Sequence, residues 1–161
     1  DLEGRTNTGV FANTPVGSWD RMLNAHGGQL VFLGSEQGNA IEQELDDVYE
    51  AGSTYRLTVA IGVSGRYPPS AEPPVDTLEL AFFYRDDAGV VDIASRTIEP
   101  IGLTAQHLRD FSLYLPAGAD EGWVGKPIGI AIRSTGLAGG FWDLDSVRLA
   151  ASIPETAAVE E

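Results

Sequence analysis

The sequence predicts an all-β domain, a sandwich or barrel of antiparallel strands, and three observations carry that reading. Stretches in which apolar and polar residues alternate recur along the chain. Turn-forming clusters separate them. The 19 Gly and 9 Pro among 161 residues suit many turns and few long helices.

Thr54 to Val63 alternates most cleanly, with Tyr55, Leu57, Val59, Ile61 and Val63 on one face and Arg56, Thr58, Ala60 and Gly62 on the other. It reads as a half-buried strand. Glu50-Ala51-Gly52-Ser53 turns the chain into it from Asn39 to Leu45, so the two make a hairpin or a corner. Asp76 to Arg85 places Leu78, Leu80, Phe82 and Tyr84 inward. Asp86-Asp87-Ala88-Gly89 then leads into Val90 to Glu99, a second hairpin. Further strands are expected at Gln29 to Leu33, Phe111 to Leu115, Ile128 to Arg133 and Phe141 to Leu149. Ser64 to Val75, with four prolines that cannot donate to a ladder, and Ala117 to Gly125, with Trp123, are expected as loops.

The length suits one domain, expected over residues 1–150, with residues 151–161 as a flexible tail. A net charge of -14 argues against a nucleic-acid partner, since phosphates need basic partners, and against anionic membranes. No apolar run is long enough to insert in a membrane. Cysteine is absent, so neither disulfides nor thiolate metal sites contribute. Because Asp1 rather than methionine begins the chain, a processed mature form or an excised piece is expected.

The order of three segments resembles a large family of exported bacterial domains: Asn39 to Leu45, then Glu50 to Val59, then the closing Phe141-Trp142-Asp143-Leu144-Asp145-Ser146-Val147-Arg148-Leu149. That family includes carbohydrate-binding modules of the family 4, 9 and 22 type and β-sandwich domains of proteins with a PEP-CTERM sorting signal. The resemblance spans Gly9 to Leu149 and rests on order and spacing, because each motif is short. It implies a galactose-binding-like jelly roll of two antiparallel sheets, secreted and extracellular. It also implies a structural calcium ion with Asp145 as a ligand. A break in alternation between Leu144 and Val147 suggests a bulge that re-aims this carboxylate, and the alternative is an ordinary strand-edge aspartate in water. Glu3 is the second metal ligand if Leu2-Glu3-Gly4 is the family's entry strand. If Gly9-Val10-Phe11 instead matches a segment downstream of that strand, Glu3 has no such role and another chain fills the exposed edge.

No catalytic machinery is recognisable. His26 and His107 stand in no motif, and Glu42 and Glu44 fall on a solvent-facing side without the later glutamate that a sandwich glycosidase needs. Gly136 to Gly140 lacks the strand-then-helix context of a phosphate loop. The chain is therefore expected not to be an enzyme.

Sugar binding asks for less: aromatic faces for pyranose rings and a few polar groups. Arg66 and Tyr67 on the proline-rich loop, Phe83 on a sheet face, Trp19 and Trp123 are the candidate contacts, while Trp142 shares a face with Leu144 and reads as core. The expected function is a noncatalytic extracellular module that binds a polysaccharide or glycan. The alternative is a structural subunit of a surface layer, adhesin or fibre that associates with copies of itself by strand or edge complementation.

Overall fold

Nine strands form among the described residues, and their register explains which side chains could be buried. The structure is a computed structural model and describes residues 8–19, 21–34, 37–63, 77–136 and 141–152. The strands are β1 (Thr8–Ala12), β2 (Gln29–Gly34), β3 (Ala40–Val48), β4 (Thr54–Val63), β5 (Leu78–Asp86), β6 (Gly89–Ile98), β7 (Arg109–Pro116), β8 (Pro127–Ser134) and β9 (Phe141–Ser152). They pair antiparallel into a five-stranded sheet ordered β1-β2-β9-β4-β7 and a four-stranded sheet ordered β3-β8-β5-β6. This is the expected jelly-roll sandwich. No helix long and apolar enough to cross a membrane occurs among the described residues.

The inward faces interdigitate as the alternation requires. Leu57, Val59, Ile61, Leu144 and Trp142 from the first sheet meet Leu78, Leu80, Phe82, Ile128 and Ile132 from the second. Each large apolar side chain buried here contributes roughly 1.5–3 kcal/mol. Tyr49, just after β3, is fully buried, edge-on to Tyr55, Phe82 and Trp123. Its hydroxyl is shared between the carbonyls of Phe83 and Gly129, at 2.9 and 3.2 Å, and burial pushes its pKa well up.

The β5–β6 hairpin is as expected: Asp86 Oδ1 accepts the amides of Ala88 and Gly89, and Gly89 takes a positive φ of 124° that few other residues would tolerate. The Glu50 to Ser53 turn resolves to a corner, since β3 and β4 lie in different sheets. Two expectations need amending. Thr8–Ala12 forms an edge strand beside β2. And β4 is buried on both faces from Leu57 to Val63, not half-buried, because its outer side is covered by connecting segments. The proline-rich loop from Ser64 to Val75 lies outside the described residues.

Candidate active site

Strand β9 sends Trp142 and Leu144 into the core, so Phe141, Asp143 and Asp145 share the opposite, outer face of the five-stranded sheet. In register, Asp143 lies between Phe32 of β2 and Gly62 of β4, and Asp145 lies opposite Ala60. An outer sheet face would ordinarily be wet. Here the segments 13–28 and 99–108 fold over it, carrying Met22 and Leu108 onto Leu30 and Ala60 as a second small core, with Phe11 and Ala25 at its margin.

The small residues on β4 make that close cover possible. A Cβ on Gly62 would lie 3.1 Å from Leu108 Cδ2 and 3.2 Å from Met22 Cε, so these two side chains occupy the space beside Asp143. On the other flank Phe32 meets Phe141 edge-on, with ring centroids 5.7 Å apart, and Phe11 at 6.3 Å. The cover is pinned by paired amides. Asn13 exchanges two hydrogen bonds with the Met22 backbone, and Asn24 does the same with Leu108. Further ties run from Leu23 N–H to the Gln106 carbonyl and from Gln106 Nε2 to the Trp19 carbonyl.

Asp143 is thus a carboxyl in apolar surroundings, only 9% exposed. Burial raises its pKa from 3.8 to about 6, and among the described residues no hydrogen bond or counter-charge offsets the desolvation. Its neighbour on the same face is treated differently. Asp145 accepts the backbone N–H of His26 at 2.5 Å and of Ser146 at 2.7 Å. The two carboxylates are therefore one desolvated and one hydrogen-bonded.

The bulge expected near Leu144 to Val147 is present. β9 carries one more residue than β4 between Asp145 and Arg148, and Ser146 has a positive φ of 50°. β2 pairs with β9 only as far as Val31 opposite Leu144. Past that point the strands part, leaving a cleft of about 300 Å³ whose walls include Val10, Val31, Ile41, Ile132 and Leu144, with Asp145 and Ser146 at its rim.

The sequence-predicted site residues are not brought together. Phe83 lies on the outer face of the four-stranded sheet, fully buried with Ala81 and Ala131, and the guanidinium carbons of Arg85 and Arg133 stand 5.3 and 5.9 Å from its ring centre. Arg133 in turn pairs with Glu42, Glu79 and Asp92. Arg56, Thr58, Ala60 and Gly62 of β4 belong to the other sheet. Trp123 packs in the core, 5.0 Å from Tyr49. Trp19 is 72% exposed on the 13–28 segment over the five-stranded sheet, whereas Phe83 belongs to the four-stranded one. Arg66, Tyr67 and Glu3 lie outside the described residues. Asp143 was missed, although the assignment of Trp142 and Leu144 to the core already turned it toward the same side as Ala60 and Gly62. Small residues there were the available signal of a covered face.

Comparison with known proteins changes the functional expectation. Residues 2–150 match the HpiC1-like family, described as HpiC1 cyclase. No curated protein sequence matches the chain. Among solved structures, a cyclase from Fischerella sp. TAU in complex with 4-(1H-indol-3-yl)butan-2-one is 23% identical with a TM-score of 0.69, over 92% of this chain and 76% of that one. The Stig cyclase Fisc from the same source, in complex with (3Z)-3-(1-methyl-2-pyrrolidinylidene)-3H-indole, matches equally well over 75% of its length. A family 4 carbohydrate-binding module is more distant, at 12% identity and a TM-score of 0.52, over 94% of this chain and 92% of that one. At these identities the likenesses show the fold, and the family match decides between them. It overturns the expected kinship with carbohydrate-binding modules, and with it the noncatalytic role, the polysaccharide partner and the self-assembling structural subunit. Short motifs shared across jelly rolls carried that expectation, and they report the scaffold more than the site. The chain belongs to the HpiC1-like cyclase family.

Proposed function

We propose that this chain is an acid-promoted cyclase for a small aromatic substrate of the indole class, with Asp143 as the proton donor. The observation that carries the reading is the Asp143 carboxyl itself, buried, without a hydrogen bond among the described residues and with its pKa raised to about 6. A carboxyl at its ordinary pKa is ionised near neutrality and cannot donate; this one holds its proton into the range where an enzyme works. Phe11, Phe32 and Phe141 offer aromatic edges and faces to a flat ring system. Support also comes from the indole ligands held by the Fischerella cyclases.

The chemistry balances without a co-reactant. Asp143 gives its proton to a basic nitrogen or an electron-rich double bond of the substrate. The carboxylate left behind stabilises the cation in a low-dielectric setting. A carbon–carbon bond then closes a ring within that molecule, and a proton lost from the carbon skeleton returns to Asp143. The product is an isomer of the substrate. Met22 and Leu108, which fill the space over Gly62, are the side chains that must yield to seat a ligand there.

A structural calcium ion, implied by the resemblance, would take Asp145 as its carboxylate ligand. The fit is partial. Asp145 keeps lone pairs beside the backbone N–H groups it accepts, but among the described residues no three His, Cys, Asp or Glu side chains gather around one point to complete a calcium site. No step of the proposed chemistry passes through a metal.

The test is turnover of indoles that bear an unsaturated side chain, followed by chromatography and mass spectrometry for a product of unchanged mass. Asp143→Asn is expected to lower the rate by about a hundredfold or more, and the wild-type rate to fall as pH rises through about 6. Full turnover by Asp143→Asn would overturn the assignment.

A further inference from the structure

The cleft opened by the β9 bulge lies beside the Asp143 site without belonging to it. Most of its walls come from the inner faces of both sheets, Val31 and Leu144 on one side and Ile41 and Ile132 on the other. Leu30, from the small core under the 13–28 cover, and Asp145, which follows from the outer face at the bulge, complete the lining, and Asp143 is not part of it. At about 300 Å³ it reaches the lower end of the range for small-molecule pockets. It is sited where β2 and β9 part, so a ligand could enter without dismantling a paired ladder.

The rim gives the cleft a chemical preference. Asp145 lines it, held in place by the N–H groups of His26 and Ser146, and among the described residues it forms no ion pair. Those two hydrogen bonds orient the carboxylate yet leave lone pairs on each oxygen. Ser146 and Gln29 add further polar atoms at the same rim. An apolar slot ending in an oriented carboxylate without a counter-cation, on a chain of net charge -14, suits a small cation with an apolar body. We propose that this cleft is a second ligand site, distinct from the Asp143 site, that takes a small aralkyl amine with its ring between the sheets and its ammonium on Asp145.

The experiment is an NMR titration of the intact chain with 2-phenylethylamine, with 3-phenylpropionate as the charge-reversed control. Saturable shifts at Val31, Ile41, Ile132 and Leu144 are expected with the amine and not with the acid. Asp145→Asn should weaken amine binding by about tenfold or more, the usual scale for losing a charged hydrogen bond. Since that substitution could also disturb the bulge, Val10→Trp is the second variant. Val10 lines the cleft and is 64% exposed, and a larger side chain there should block entry without touching the core. Asp143→Asn should bind the amine as the wild type does, which separates this site from the proposed catalytic one. Absence of saturable shifts, equal binding of the acid, unchanged affinity in both Asp145→Asn and Val10→Trp, or loss of binding in Asp143→Asn would each overturn the proposal.

Discussion

Replacing Asp143 with asparagine should change the pH dependence of stability in a definite direction. The folded protein holds the Asp143 proton to about pH 6, while the unfolded chain releases it near 3.8. Between those values the native state binds more protons than the unfolded state, so stability falls as pH rises. The stability linked to this proton is fully present below the unfolded pKa and is lost as pH passes through the folded one. A displacement of this size corresponds to about 3 kcal/mol. Asparagine is nearly the same shape and cannot ionise. At about pH 4 the two proteins should therefore differ little, and at about pH 8 the variant should be the more stable by roughly 1–3 kcal/mol, the lower figure allowing for an amide buried without partners. Urea denaturation of both proteins across that range gives the difference, in which the other carboxylates cancel. A difference that stays flat with pH would refute the claim that Asp143 is desolvated in the fold. A variant that gains stability while losing turnover would show a site kept at a cost to the fold.

Three further outcomes follow from the packing. Gly129→Ala places a Cβ about 2.5 Å from the fully buried ring of Phe83, which has no room to retreat, and should destabilise by about 1–3 kcal/mol in chemical denaturation. Arg133→Ala leaves Glu42, Glu79 and Asp92 facing one another without their shared cation; a loss of about 1–2 kcal/mol is expected, smaller at high salt, measured as melting temperature against ionic strength. Asn24→Ala removes the two-way clasp to Leu108 and should speed amide exchange in residues 21–28 well before it affects the core strands, as read by hydrogen exchange.

The architecture was legible because period-two alternation is a local property. β4 was expected from Thr54 to Val63 and forms over those residues, and the bulge was visible as a break in alternation before Val147. What could not be read was non-local. Nothing in the local pattern says that β3 and β4 part into different sheets, or that the 13–28 segment folds over β4 and β9. Without that cover Asp143 reads as a solvated aspartate, and Thr58, Ala60 and Gly62 as a polar outer face. Phe83 was expected on an open surface, yet Arg85 and Arg133 stack on its ring. The functional misreading had the same origin. The motifs quoted for a carbohydrate module hold strands and corners together, while Asp143 gains its character from segments distant in sequence.

The most direct test of this account is a carbon-detected NMR titration of the Asp143 side-chain carboxyl in the intact protein. The account predicts a midpoint at about pH 6, two units above an ordinary aspartate, with Asp143 as the group that supplies the proton. A midpoint near 4, the value of a solvated carboxylate, would contradict it.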